Sequence, residues 1–227
     1  VKGKSRHGLR YFVTGTDTGV GKTQVSAAIL ASLRDRGLTP FAYKPCESGG
    51  TGDTDTLHDA AGGWQPKDSI CLYRLKAPLA PAIAARREKK TVQWERLLEG
   101  FRALGSGPGV VEGAGGLFVP MGEGFDVVDF AEALELKVVL VARATLGTIN
   151  HTTLSLNELQ RRKLRVAAVV LSHASPGSDL ASKTNRAELQ RRFPDIPIVG
   201  PVRFTADPVR RRALFQRWLA PVLASRL

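Results

Sequence analysis

Short apolar runs alternate with longer amphipathic stretches along most of the chain. Runs at residues 10–14, 39–44, 109–112, 138–142, 166–171 and 198–199 are rich in Val, Ile, Leu, Phe and Ala, and they predict strands. Between them, apolar positions recur at helical spacing over residues 22–36, 92–104, 127–134, 150–162, 182–192 and 208–223. Gly37 and Gly105 stand where helix C-termini favour a left-handed residue. Strand–helix alternation of this kind predicts an α/β fold with a mostly parallel central sheet and helices on both faces. Strands covered on both faces are continuously apolar, as residues 138–142 are.

Ligands of such sheets bind beyond the carboxyl ends of the strands. The residues there are chemically conspicuous: Thr14 leads into a glycine loop, Lys44 ends the second strand, Glu112 ends the third, and residues 145–150 come after the fourth. The loop reads Gly15-Thr16-Asp17-Thr18-Gly19-Val20-Gly21-Lys22-Thr23, between a predicted strand and a predicted helix. That is the setting of a phosphate-binding loop. Backbone N–H groups from Gly19, Val20, Gly21 and the first helical residues, Lys22, Thr23 and Gln24, converge on phosphate oxygens, aided by the helix dipole. Lys22 reaches the β- and γ-phosphates and the Thr23 hydroxyl serves Mg²⁺. Thr16 occupies the place where the standard spacing has glycine, and Gly15 lies one place earlier.

At 227 residues, with no composition break, the chain is expected to form one domain from residue 10 to 227, preceded by a basic, disordered tail over residues 1–9. Its apolar runs fall far short of the roughly 20 residues of a membrane-spanning helix. The basic start lacks the apolar stretch of a signal peptide, so a cytoplasmic location is expected. Cys46 and Cys71 lack CxxC spacing and are expected to be free thiols. The net charge of +12 raises the question of nucleic-acid binding, but the basic groups (86–90, 161–165, 210–212) lie on separate predicted helices without interleaved aromatics. Solvated faces and attraction of anionic substrates are the preferred reading.

Four further stretches, taken with the loop, resemble the dethiobiotin synthetase family in order and spacing from about residue 10 to 200: Tyr11-Phe12-Val13-Thr14, Tyr43-Lys44-Pro45 with Ser48-Gly49, Val111-Glu112-Gly113-Ala114-Gly115-Gly116, and Leu146-Gly147-Thr148-Ile149-Asn150-His151. The resemblance implies a C–N bond-forming cyclo-ligase of biotin synthesis, using ATP, Mg²⁺, CO₂ and 7,8-diaminononanoate, and a homodimer with sites at the subunit interface. Carried over residue by residue, Lys44 and Lys22 are the catalytic cations. Thr23, Asp55 and Glu112 are metal-linked, with Asp53 as the rival of Asp55. Gly113, Ala114 and Gly115 approach the nucleotide, Ser48 contacts the diamine, and Gly147, Thr148 and Asn150 hold its carboxylate, partly from the neighbouring subunit. At the adenine end the family commonly has Asn after the fifth strand and a proline-led turn further on. Here those positions read Ser172-His173 and Arg203-Phe204, which implies looser base selectivity. A partition-type switch ATPase and another carboxylate-activating ligase are the competing readings; the switch group usually carries an early loop lysine where this chain has Thr16.

Overall fold

A computed structural model describes residues 8–177 and 179–224. The first half contains β1 (Arg10–Gly15), α1 (Lys22–Arg34), β2 (Phe41–Tyr43), β3 (Cys46–Ser48), α2 (Gly52–Ala61), α3 (Lys67–Ile70), β4 (Tyr73–Leu75), α4 (Pro81–Arg87) and α5 (Trp94–Ala103). The second contains β5 (Gly109–Gly116), β6 (Pro120–Gly122), β7 (Phe125–Asp126), α6 (Val127–Leu134), β8 (Lys137–Arg143), α7 (Thr148–Arg161), β9 (Val166–Ser172), α8 (Leu180–Arg192), β10 (Ile198–Val202) and α9 (Pro208–Ala224). Six strands form one sheet in the order β10-β9-β8-β1-β5-β2, and every neighbouring pair is parallel. β1 therefore lies inside the sheet, and the glycine loop at its carboxyl end emerges between β5 and β8.

Both faces of the sheet are buried, which is why its strands are apolar without alternation. Phe12, Val138 and Leu140 point to one side, where they pack with Leu97 of α5, Phe130 of α6 and Leu156 of α7. Tyr11, Val13, Val139 and Val141 point to the other, against Ile29 and Leu30 of α1, Leu57 of α2 and Phe215 and Leu219 of α9. Gly37 and Gly105 take left-handed φ values of 75° and 71°, as expected beyond the ends of α1 and α5. The region between β2 and α5 holds elements that the hydrophobic pattern did not predict: β3, α3 and β4 are only 3, 4 and 3 residues long, and the 10-residue α2 buries a face of only Thr54, Leu57, Ala60 and Ala61. β3 and β4 pair as a small parallel sheet of their own.

Residues 1–7 of the expected tail lie outside the described residues; Gly8 is tied to the sheet by the Lys137 Nζ, which donates to its carbonyl at 2.8 Å. Among the described residues no helix is long and apolar enough to cross a membrane.

Phe130 is fully buried and meets Phe12 and Trp94 edge-on at ring distances of 6.2 and 6.1 Å. Phe130→Ala is expected to lower unfolding free energy by about 3–5 kcal/mol. Equilibrium urea unfolding measures this; a loss below about 1 kcal/mol would mean the α6 side of the core is not closely packed.

Candidate active site

The loop after β1 becomes a helix without a side-chain cap. Gly21, with φ at 102°, is the N-cap residue of α1, and no side chain accepts from the first-turn N–H groups. Those donors are orphaned by helix geometry and carry the positive end of the dipole. Gly19, Gly21, Lys22, Thr23 and Gln24 all line a cavity of about 530 Å³. Val20 is fully buried beneath the loop. Lys22 folds back so that its Nζ donates to the Asp17 carbonyl at 3.0 Å, and Arg143 at the end of β8 donates to the Thr18 carbonyl at 2.9 Å. Burial dominates the Lys22 ammonium and brings its pKa down to about 8; Glu112 opposes the fall and Lys44 adds to it.

Beside the loop lies a compact ionic cluster. The Lys44 Nζ donates to Glu112 Oε1 at 2.7 Å and sits 3.0 Å from Asp53 Oδ2. The Thr23 hydroxyl is within bonding distance of the same two carboxylates, 2.8 Å from Asp53 Oδ1 and 3.0 Å from Glu112 Oε1. Lys44 is 4% exposed and Glu112 1%, so each charge is tolerable only because of the other. Burial pulls the Lys44 pKa down, but Glu112 and Asp53 outweigh it and hold the ammonium above the ordinary lysine value. Burial likewise pushes Asp53 up, yet Lys44 and the Thr23 hydroxyl leave it below the usual carboxylate value.

One oxygen in this cluster is unused. Glu112 Oε2 is buried and has no hydrogen-bond partner among the described residues. With Thr23 Oγ1 and Asp53 it makes a small set of hard oxygen donors, the kind Mg²⁺ takes while keeping its waters. Among the described residues no group of three or more His, Cys, Asp or Glu is gathered in the manner of an all-protein metal cage. The residues present fit Mg²⁺.

Of the two carboxylates weighed for the metal, the structure brings Asp53, not the favoured Asp55, against Thr23 and Lys44. Asp55 turns outward, where Lys67 donates to its Oδ1 at 2.7 Å and the Thr51 hydroxyl to its Oδ2 at 3.3 Å. Two residues along a helix are rotated by about 200°, so Asp53 and Asp55 cannot face the same site. Gly113 is not among the residues that line the cavity. A Cβ there would lie 2.9 Å from Val127 Cγ1, so its missing side chain serves the packing of β5 on α6, while Ala114 and Gly115 line the cavity. Sequence reasoning passed over Glu47, 5% exposed, which also lines the cavity. The signal was an acidic residue set between Lys44-Pro45 and Ser48 in a buried segment.

Ser48 lines the cavity, and its buried hydroxyl has no partner. Gly147, Thr148 and Asn150 do not line it. They form the start of α7, with Gly147 and Asn150 exposed and the Thr148 hydroxyl 3.4 Å from that of Thr152. Ser172 is pressed against the loop instead of reaching outward: a Cβ on Gly21 would lie 3.2 Å from its Oγ. The next residue, His173, lines a second cavity of about 580 Å³ together with Arg203 and Phe204. Arg211 stacks over the Phe204 ring at 4.3 Å.

Comparison with known proteins bears on the family and the fold. An AAA domain family matches residues 9–211. The ATP-dependent dethiobiotin synthetase BioD of Anaeromyxobacter dehalogenans (strain 2CP-C) is 46% identical over 186 residues, spanning 79% of this chain and 83% of that protein. The protein of the same name from Bacillus subtilis (strain 168) is 38% identical over 202 residues, 84% of this chain and 85% of its own. In fold alone the chain is similar to the ParA family ATPase of Chlorobium tepidum TLS, with a TM-score of 0.55 at 12% identity, covering 98% of this chain and 96% of that one. Fold and site define a P-loop nucleoside-triphosphate enzyme with a variant loop. The chain belongs to the dethiobiotin synthetase family.

A lysine with a lowered pKa is charged below that value and neutral above it. Nucleotide affinity of the free enzyme is therefore expected to fall as pH rises through about 8, where Lys22 loses its proton. Titration of a fluorescent ATP analogue without diamine, from about pH 6 to 10, measures this, and Lys22→Arg, charged throughout, should remove the step. Affinity that stays flat in the unaltered protein would show that Lys22 remains charged.

Proposed function

We propose that this chain closes the ureido ring of dethiobiotin on 7,8-diaminononanoate and CO₂ at the expense of ATP, with its charged cluster as the catalytic centre. The observation that carries the reading is the gathering of Lys22, Thr23, Lys44, Asp53 and Glu112 beside an uncapped helix start, in a cavity that also holds the unpartnered Ser48 hydroxyl. One amine captures CO₂ as a carbamate. A carbamate oxygen attacks the γ-phosphorus and ADP leaves, giving a carbamic-phosphoric anhydride. The second amine then attacks the carbamoyl carbon and expels phosphate.

Negative charge builds at each stage, so fixed cations supply the catalysis. Lys22 grips the β- and γ-phosphates, and Lys44, held charged by its two carboxylates, meets carbamate and γ-phosphate together. Gly19, Gly21 and Gln24 offer backbone donors or lining to the phosphates, with Ala114 and Gly115 across from them. Two ammonium groups and two carboxylates sum to zero in the cluster, so a triphosphate brings charge that the protein alone does not offset. Mg²⁺, when bound, neutralises phosphate oxygens as a Lewis acid, held by Thr23, Asp53 and Glu112 Oε2. Ser48 orients the diamine.

The substrate carboxylate is assigned to Gly147, Thr148 and Asn150 of a second copy, making the working form a homodimer. The exposed Leu146, Leu154 and Phe118 beside that segment support the assignment, being 85%, 61% and 62% exposed. Buried Cys46 and Cys71 are free thiols, which suits a reducing cytoplasm. His173, Arg203 and Phe204 form the base end. Initial rates with ATP, CTP and GTP are expected to reveal turnover beyond ATP; turnover with ATP alone would refute loose selectivity.

Incubation with diamine, bicarbonate, Mg²⁺ and ATP should release one phosphate per ring product. Phosphate release that needs no diamine and rises with DNA would instead indicate a switch ATPase. Lys44→Ala and Asp53→Asn are each expected to lower kcat by about 100-fold or more, the scale of lost transition-state charge stabilisation. Asp55→Asn should leave kcat near that of the unaltered protein, and a loss comparable to Asp53→Asn would return the metal role to Asp55.

A further inference from the structure

Asp53 is only as well placed as the first turn of α2, and that turn has no ordinary cap. Thr51 is the N-cap residue, but its side chain makes no capping bond and donates instead to Asp55. A carboxylate from outside the helix takes the cap's place. Glu47 Oε1 accepts from the Asp53 N–H at 2.8 Å; Oε2 accepts from the Thr54 N–H at 3.0 Å and from the Thr54 hydroxyl. Two of the orphaned donors are thereby satisfied by one side chain on β3, six residues earlier in the chain.

Glu47 is three residues after Lys44 and one before Ser48, so one short segment carries the ammonium, the hydroxyl assigned to the diamine and the brace for the metal-side carboxylate. Through the Asp53 main chain, Glu47 fixes where Oδ1 meets Thr23 at 2.8 Å and where Oδ2 meets Lys44 at 3.0 Å. Glu47 is 5% exposed, and a carboxylate is retained at such burial only where its oxygens are well bonded. We infer that Glu47 is a positioning residue for the metal half of the site: it locks the α2 N-terminus so that Asp53 is aimed at Thr23 and Lys44 before nucleotide arrives. This rests on the reading of Asp53 as a metal-side carboxylate.

The replacement Glu47→Gln keeps the shape but turns one acceptor into a donor facing N–H groups. Mn²⁺ binding, counted by loss of the free-ion EPR signal in the presence of the β,γ-imido analogue of ATP, is expected to weaken by about 10–100-fold, as for other outer partners of metal ligands. Affinity for the same analogue without metal should stay unchanged, which separates loss of aim at Asp53 from a general loosening of the site. Asp53→Asn is the reference. If Asp53→Asn leaves Mn²⁺ affinity unchanged, the metal reading of Asp53 fails and this inference with it. If Asp53→Asn weakens it and folded Glu47→Gln does not, the positioning role alone is overturned. Should Glu47→Gln not fold, Thr54→Val decides: it removes one hydroxyl bond to Glu47 and leaves the charge. A smaller loss of Mn²⁺ affinity in the same direction supports the inference, and unchanged affinity overturns it.

Discussion

The site depends on a single buried ammonium. Lys44 lies just past the edge strand β2, and its Nζ sits between Glu112 on β5 and Asp53 on α2, at 2.7 and 3.0 Å. Thr23, from the first turn of α1, bridges the same two carboxylates. Four elements from different parts of the chain are thus fixed to one another, three by charge and α1 by the Thr23 hydroxyl. Removing one partner from a buried pair typically costs about 3–5 kcal/mol, because the remaining charge is stranded away from water. The cluster therefore sets its own geometry: the end of β2, the middle of β5 and the starts of α1 and α2 have one arrangement in which these charges are paired.

The same balance explains why the centre favours an anion. Lys22 is charged at neutral pH but poorly solvated, and its nearest bonded partner is a backbone carbonyl rather than a carboxylate. The α1 N-terminus beside it adds uncapped donors. Phosphate oxygens satisfy both together, so much of the electrostatic work of binding is prepared in the folded chain. The carboxylates that hold Lys44 do not compete for this role. They face Thr23 and Lys44, and only Glu112 Oε2 is left without a partner.

The parts of this arrangement that were legible in the sequence are those with local signals. The central strands read as apolar runs, and α1, α6 and α9 read from their spacing. Lys22 and Thr23 stand at a helix start and Lys44 just past a strand end, where α/β sheets place ligands, whereas Glu112, read as ending its strand, sits inside β5, which runs on to Gly116. The illegible part lies between β2 and α5, where elements are short and are held by distant partners. Gly52-Asp53-Thr54-Asp55 offers two carboxylates and no local feature to choose between them. The choice is made by helix phase, once Glu47 has defined where α2 begins. Gly113 carries a second constraint invisible locally, since a side chain there would meet Val127, fourteen residues later.

Phosphate and base ends are built from different materials, and this governs how each can vary. The phosphate end uses backbone donors of α1, buried Lys22 and an interlocked ionic cluster, so any change there leaves an orphaned charge or blocks the loop. Ser172 belongs to this end, since it fills the space that Gly21 leaves open. The second cavity begins one residue later, with His173, and is completed by Arg203 and Phe204 beyond β10. Those side chains are at least partly exposed, and none of them enters the charged cluster. On the proposed reading of that cavity as the base site, substitution there alters base recognition without disturbing Lys22, Lys44 or Glu112. A chain of this family can therefore keep its phosphate loop intact while the side chains around the second cavity, His173, Arg203 and Phe204, depart from the common pattern.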